Sequence, residues 1–332
     1  MSATPATRAR GLYEMYRRIR EFGVAGSMLA ASMLLVAHPA AATPRMISVA
    51  SGPELFRQKL AATPGNRFIV DARAGNALGG ENIILAATRT GAIDVAVLTG
   101  GVVSAVVPEM GVFDIPFLFR DEAHAKAVMQ GPIAAQIAAK FADKGLVLLA
   151  LGKQGFRNIT NSKHPIRTPA DIKGLKIRVI PNETYKMAFK ALGADVVPID
   201  FPLVYAALKD GRLDGEENPL TIISNSRFQE VQKYLTLTGH FFAPVAFVAN
   251  RAMFEQLDPS DREALIAAAK AGAEATWEAQ LDAEKLKELR GAGMEVVEKV
   301  DRQAFVDAVK PLDPEFEKRF GKDLIAAIRS TR

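Results

Sequence analysis

The segment from Gly174 to Ile199 constrains the fold more than any other part of the chain, because it reads as a strand, a helix and a second strand in close succession. Leu175, Ile177 and Val179 alternate with Lys176 and Arg178, the period of two of a strand with one buried face. A helical pattern follows over 183–192 and closes at Gly193, and a short apolar run covers 195–198. The same alternation recurs along the chain. Residues 46–50, 67–72 and 93–98 read as strands. Residues 121–130 and 132–143 read as helices, the second opening on Pro132 and followed by Gly145, ahead of a strand over 146–151. This pattern predicts an α/β fold with largely parallel sheets. Further on, Ser260 and Glu263 have the spacing of a capping box. Ile266, Ala269, Ala273, Trp277 and Leu281 mark one apolar stripe, which predicts a single amphipathic helix closing at Gly291, roughly 45 Å long.

Arg178 stands out within the first strand, since it points away from the face formed by its apolar neighbours. A guanidinium offers a planar fork of donors that can hold both oxygens of a carboxylate, which a lysine cannot reproduce. The strand alone allows two readings, an ion pair with a nearby Asp or Glu, which it favours, or an anchor for an acidic ligand.

The amino terminus predicts export. Arg17, Arg18 and Arg20 precede an apolar run over 24–36, and Ala40 and Ala42 form a small-residue cleavage site just before Thr43. Residues 1–42 therefore read as a signal peptide, and the run is too short for a membrane span. The paired Arg17 and Arg18 suggest the twin-arginine route, but the following Ile19, Arg20 and Glu21 match it poorly, which favours the general pathway. In that leader Arg8, Arg10, Arg17, Arg18 and Arg20 outnumber Glu14 and Glu21, so its removal lowers the formal charge from +5 to about +2. A nearly neutral chain with no basic block and interleaved aromatics offers nothing to nucleic acid. Of the 332 residues roughly 290 then remain, enough for two lobes of ordinary domain size. There is no cysteine, which excludes disulfides and thiolate metal sites.

Several longer words then appear in order: GVFDIPFLFR from Gly111, GFRNITNSKHPIRTPADIKGLKIRV from Gly155, ALGADVVPI from Ala191, DGEENPL from Asp214 and EVQKYLTLTGH from Glu230. From about Met46 to the C-terminus the chain resembles the periplasmic solute-binding proteins of TRAP transporters, the DctP family. The resemblance implies a two-lobed, type II-like periplasmic binding protein fold with a long helix spanning both lobes. Lobe I would comprise 43–155 plus about 244–284, and lobe II 156–243 plus about 285–332, with crossovers near 151–156 and 240–248. It implies a periplasmic receptor, a monomer, that binds a small organic acid and delivers it to the membrane permease, formed by a small DctQ-like and a large DctM-like subunit. It requires no cofactor and no metal. The family's arginine in the GLKIRV word, here Arg178, would hold the ligand carboxylate, with Arg157 and Asn218 assisting. Glu81, Thr99, Gln154 and Phe201 are further candidates, since ligands in two-lobed binding proteins meet strand ends and the cleft between lobes. The residues themselves leave other roles open: a turn for Asn218 before Pro219, a surface pair for Arg157, a helix-dipole carboxylate for Glu81 and lobe core for Phe201. The chain departs from the family where 47–51 runs almost directly into the helix beginning near Glu54, which puts contacts by Ser51 or Glu54 in question.

Alternatives from other classes lack motifs. There is no G-x-S-x-G, Walker A loop, G-x-G-x-x-G or H-E-x-x-H. His124, His164 and His240 are widely spaced and read as surface or structural. A periplasmic enzyme acting on an acidic metabolite through carboxylates, or a binding protein serving a sensor, are the remaining alternatives.

Overall fold

A computed structural model describes residues 44–64, 67–73 and 78–332. The expected leader, 1–42, lies outside the described residues. The strands are β1 (Arg45–Ala50), β2 (Phe68–Arg73), β3 (Val95–Thr99), β4 (Leu146–Asn161), β5 (Lys176–Val179), β6 (Asp195–Pro198), β7 (Gly215–Pro219), β8 (Tyr234–Asn250) and β9 (Glu295–Val297). They form one sheet in the order β2-β1-β3-β8-β4-β7-β5-β6, with β9 beside β8. Within each end of the sheet the short strands pair in parallel, β1 with β2 and β3, and β5 with β6 and β7. The central pair β4 and β8 is antiparallel to each other and to both flanks. Two α/β lobes therefore share a pair of through-going strands.

Those two strands correct the sequence reading at the waist. The predicted strand 146–151 runs on to Asn161, and the two expected crossovers are the paired middles of β4 and β8. Their ladder slips between Leu148 and Ala150, Lys153 and Gly155, and Arg157 and Ile159. Such irregularities bend a strand and re-aim its side chains. At Gly155 φ is 121°, a conformation that glycine adopts without steric cost. Gln154 and Arg157 lie within this irregular stretch.

The predicted single long helix is two helices, Pro259–Glu278 and Asp282–Gly291. The first is about 30 Å long at 1.5 Å per residue. Its N-cap is Asp258, with Pro259 at N1, so the Ser260 capping box does not form. The chain leaves the helix at Ala279, whose backbone is extended (φ −66°, ψ 107°), and Leu281 is exposed. The first helix packs on β4 and on the helix Glu54–Ala61, and the second packs on Leu220–Asn225 of the other lobe. The segment thus reaches both lobes across a break.

Three apolar clusters hold the layers together. One, with Val49, Phe56, Val97, Phe247, Leu265 and Ala269, seals the first lobe under Pro259–Glu278. Another, with Val204, Leu208, Ile223, Phe228, Leu235 and Leu289, seals the outer face of the second. The largest runs through the waist, where Phe242 stacks on Trp277 with ring centres 5.6 Å apart and Tyr185 lies against Phe241. Burying each such aromatic stabilises the fold by about 1.5–3 kcal/mol. The helix Lys322–Ser330, grouped by sequence with the second lobe, returns to the first: Arg120 donates to the carbonyls of Arg329 and Thr331, and the His124 ring lies 2.8 Å from that of Ile328.

Candidate functional site

A cavity of about 170 Å³ lies between the two lobes, over the irregular middle of β4. All seven sequence-predicted residues line it: Glu81, Thr99, Gln154, Arg157, Arg178, Phe201 and Asn218. Their roles within it differ.

Arg178 comes from β5 and is 2% exposed. Its Nε donates to the carbonyl of Ile199 at 3.0 Å, and its guanidinium lies 5.7 Å from the centre of the Phe201 ring. Among the described residues, its two terminal nitrogens have no hydrogen-bond or ion-pair partner. Burial pushes this guanidinium down to about 10, and Arg157 adds to the shift while Glu217, Glu216 and Glu81 oppose it. A buried cation with an unpaired fork is poised to receive an anion. The ion-pair reading of Arg178 is thereby displaced.

Arg157 is bound up within the protein, but by a buried partner rather than a surface one. It is fully buried and grips Glu217 of β7 with two parallel bonds, Nε to Oε2 at 2.5 Å and Nη2 to Oε1 at 2.9 Å. Burial works against both charges, yet Glu217 holds the Arg157 guanidinium above its ordinary range and Arg157 holds the Glu217 carboxyl below its own. Nη2 also reaches Asn218 Oδ1 at 3.0 Å, and Nη1 approaches Gln154 Oε1 at 3.4 Å. Asn218 donates in turn to Glu216 at 2.5 Å, and burial raises the Glu216 carboxyl to about 7. Arg157 therefore anchors a polar network beneath the cavity floor and turns one edge toward it.

That network continues across the waist. Gln154 donates to Thr99 Oγ1 at 3.2 Å, and Thr99 donates to Glu81 Oε1 through its backbone N–H at 2.9 Å and its hydroxyl at 3.2 Å. Thr99 ends β3 and Glu81 opens the helix Glu81–Thr90, so strand end and helix start face each other on the first lobe. Burial raises the Glu81 carboxyl above its ordinary value, against the pull of Thr99, Arg178 and Arg157.

Several residues escaped the sequence reading. Glu217 is the buried counter-ion of Arg157, and it also lies 3.2 Å from the His240 ring, which burial holds toward the neutral form. Asn82 and Asp200 meet across the cavity mouth at 2.7 Å, one from each lobe. Asn182, the N-cap of the helix Glu183–Ala191, donates across the cleft to Gly101 O at 2.8 Å, Ser104 Oγ at 2.7 Å and Asp114 Oδ2 at 3.0 Å. Asp200 had one usable signal, its place at the carboxyl end of β6. Ser51 lines the cavity, with φ of 63°, whereas Glu54 pairs with Arg57 on the surface. His124 and His240 are buried and His164 is exposed. Among the described residues no cluster of three or more His, Cys, Asp or Glu could hold a metal ion. No helix among them is long and apolar enough to cross a membrane.

Comparison with known proteins agrees with this two-lobed fold. The family model for bacterial extracellular solute-binding proteins, family 7 (DctP), matches residues 41–319. A solute-binding protein of Verminephrobacter eiseniae is 39% identical over 282 residues, 84% of each chain. A TRAP periplasmic solute-binding protein of Bordetella bronchispeptica, with density interpreted as pantoate, superposes with a TM-score of 0.83 at 38% identity, covering 86% of this chain and 99% of that one. One from Polaromonas sp JS666, bound to D-erythronate, gives 0.83 at 34% identity over the same shares.

Proposed function

We propose, from the premise that this chain belongs to family 7 of the bacterial extracellular solute-binding proteins, the DctP family of TRAP transporters, that it captures a small organic acid between its lobes by the carboxylate. The carrying observation is the fork of Arg178, buried at the wall of the interlobe cavity and unpaired by any described side chain. The acid would lay its two oxygens against Nη1 and Nη2, replacing hydration with two charge-assisted bonds in a medium where they are strong. The Phe201 ring, its centre 5.7 Å from the guanidinium, offers it a cation–π contact. Arg157 lends its positive field without surrendering Glu217, and Asn218 and Gln154 are positioned by it. The ligands named for the structural relatives, pantoate and D-erythronate, are carboxylates of this size class.

Residues of the site come from both lobes. A ligand touching Arg178 on one and Glu81 or Thr99 on the other favours the closed arrangement by the difference in its affinity for the two forms. Asn182 and the Asn82–Asp200 pair add contacts that exist only when the cleft is closed. In this reading residues 43–155 and about 244–284 move as one lobe, with 156–243 and about 285–312 as the other. The helices after 312 follow the first lobe, to which the last of them is bound. The closed form then delivers its acid to the small and large TRAP membrane subunits. DctP family proteins are periplasmic; residues 1–42 act as the cleaved signal peptide, and the mature protein is a monomeric receptor rather than an enzyme.

A thermal-shift screen of organic acids on the purified mature protein tests this, since a ligand that binds only the folded state raises the melting temperature. Carboxylates should raise it and their carboxamides should not. A screen in which amides and acids act alike would remove the carboxylate from the reading, and turnover of a bound acid would revive the enzyme.

A further inference from the structure

Resting on the reading of the cavity as an organic-acid site, we infer that its far wall selects acids bearing hydroxyl groups and no second carboxylate, and that Glu81 and Asp200 enforce the choice. Among the described residues four charged side chains line the cavity: Arg157, Arg178, Glu81 and Asp200. Arg157 is matched by Glu217. Arg178 therefore offers the fork for a first carboxylate, and the remaining two charges are both negative.

The free valences of those two groups define what they can receive. Glu81 Oε1 is taken up by Thr99, and among the described residues its Oε2 has no partner. Asp200 Oδ1 accepts from Asn82 Nδ2, and its Oδ2 has no partner among the described residues. An ionised carboxylate only accepts hydrogen bonds. A dicarboxylate held by Arg178 at one end would bring acceptors and like charge against this wall, whereas ligand hydroxyls would each donate to it. Burial raises the Glu81 carboxyl against the pull of Thr99, Arg178 and Arg157, and a ligand hydroxyl donating to its unpartnered Oε2 would favour the ionised form.

Asp200 has a second property. Because Asn82 belongs to the first lobe and Asp200 to the second, their bond holds the carboxylate in place only when the cleft is closed. Selection against a second anion is thereby exercised at closure, the step that commits the ligand.

Calorimetry on the purified protein tests the inference with acids matched in length: 2,3,4-trihydroxybutanoate, butanoate, 4-aminobutanoate and succinate, then gluconate and adipate. A trihydroxybutanoate or gluconate affinity at least tenfold above that of its matched partners is expected. Asp200→Asn and Glu81→Gln, whose amides can donate to a carboxylate, should narrow the gap against the dicarboxylate. Succinate or adipate binding as tightly as the hydroxy acid would overturn the inference and leave the Arg178 reading standing. So would tightest binding of 4-aminobutanoate, which would put an ammonium where hydroxyls are assigned. An unchanged preference in both folded variants would remove Glu81 and Asp200 from the role. Binding of none of these acids would bring down the organic-acid reading itself.

Discussion

Replacing Arg178 by methionine should abolish ligand binding and at the same time make the ligand-free protein more stable. The buried guanidinium has a pKa pushed down to about 10 from an ordinary 12.5, mainly by burial. At about 1.4 kcal/mol per unit, this places the cost of keeping it charged on the order of 3 kcal/mol. Methionine fills a similar volume without a charge, and it forfeits the bond from Nε to Ile199 O, worth about 1 kcal/mol. A net gain of roughly 1–2 kcal/mol remains, a rise of a few degrees in melting temperature. Arg178→Lys keeps the charge but loses the planar fork of donors. One charged hydrogen bond lost costs on the order of 1.5–3 kcal/mol, about tenfold to more than a hundredfold in affinity. Differential scanning calorimetry without ligand, and titration calorimetry with the best acid from the screen, measure both effects. Methionine and lysine variants that bind as the native protein does would refute the assignment, and a ligand-free methionine variant less stable than the native protein would refute the idea that the site stores an uncompensated charge.

Three further outcomes follow from the same geometry. Glu217→Gln leaves Arg157 as an unpaired buried charge and should cost about 3–5 kcal/mol in urea unfolding, whereas a loss below about 1 kcal/mol would mean the pair is not buried in solution. Asp114 has its pKa raised by burial to about 7 from 3.8, so its contribution to stability is full below about 3.8 and is lost as pH rises through about 7. Lowering the pH from about 7 to about 5 should recover on the order of 2 kcal/mol through this group, and Asp114→Asn should remove that share of the profile while Glu216, raised by burial to about the same value, keeps its own. His240, held toward its neutral form, works in the opposite sense below about pH 6.5 but is common to both proteins, so the comparison isolates Asp114. Asn182→Ser keeps a helix cap but withdraws the amide that bridges to Gly101, Ser104 and Asp114. Ligand release measured by stopped flow should accelerate about fivefold, as expected for a lost bond of about 1 kcal/mol; an unchanged rate would mean the bridge does not hold the cleft closed.

What could be read from the sequence was what local pattern controls. The strand around Arg178 and the helix after it are set by period and caps: β5 covers Lys176–Val179 and the helix runs Glu183–Ala191, capped by Asn182. The strand end at Thr99 and the helix start at Glu81 were legible for the same reason. The waist was not, because β4 and β8 owe their length to each other: long-range pairing carries them through Gly155 and past three register slips that no local period records. The long helix misled in the opposite way. Its apolar spacing continues through Leu281, but the chain turns at Ala279 to reach the second lobe, and helix propensity yields to tertiary packing. Glu217 and Asp200 were missed because an acidic residue in a polar word looks solvated until a partner distant in sequence closes over it. For Glu217 that partner is Arg157, and for Asp200 it is Asn82.

A crystal structure of the mature protein with its tightest-binding acid tests the central claim most directly. The carboxylate should lie in the interlobe cavity with its two oxygens within about 3 Å of Arg178 Nη1 and Nη2, and Arg157 should still hold Glu217. A carboxylate bound away from Arg178, or one that draws Arg157 off Glu217 while Arg178 stays unpaired, would contradict the account.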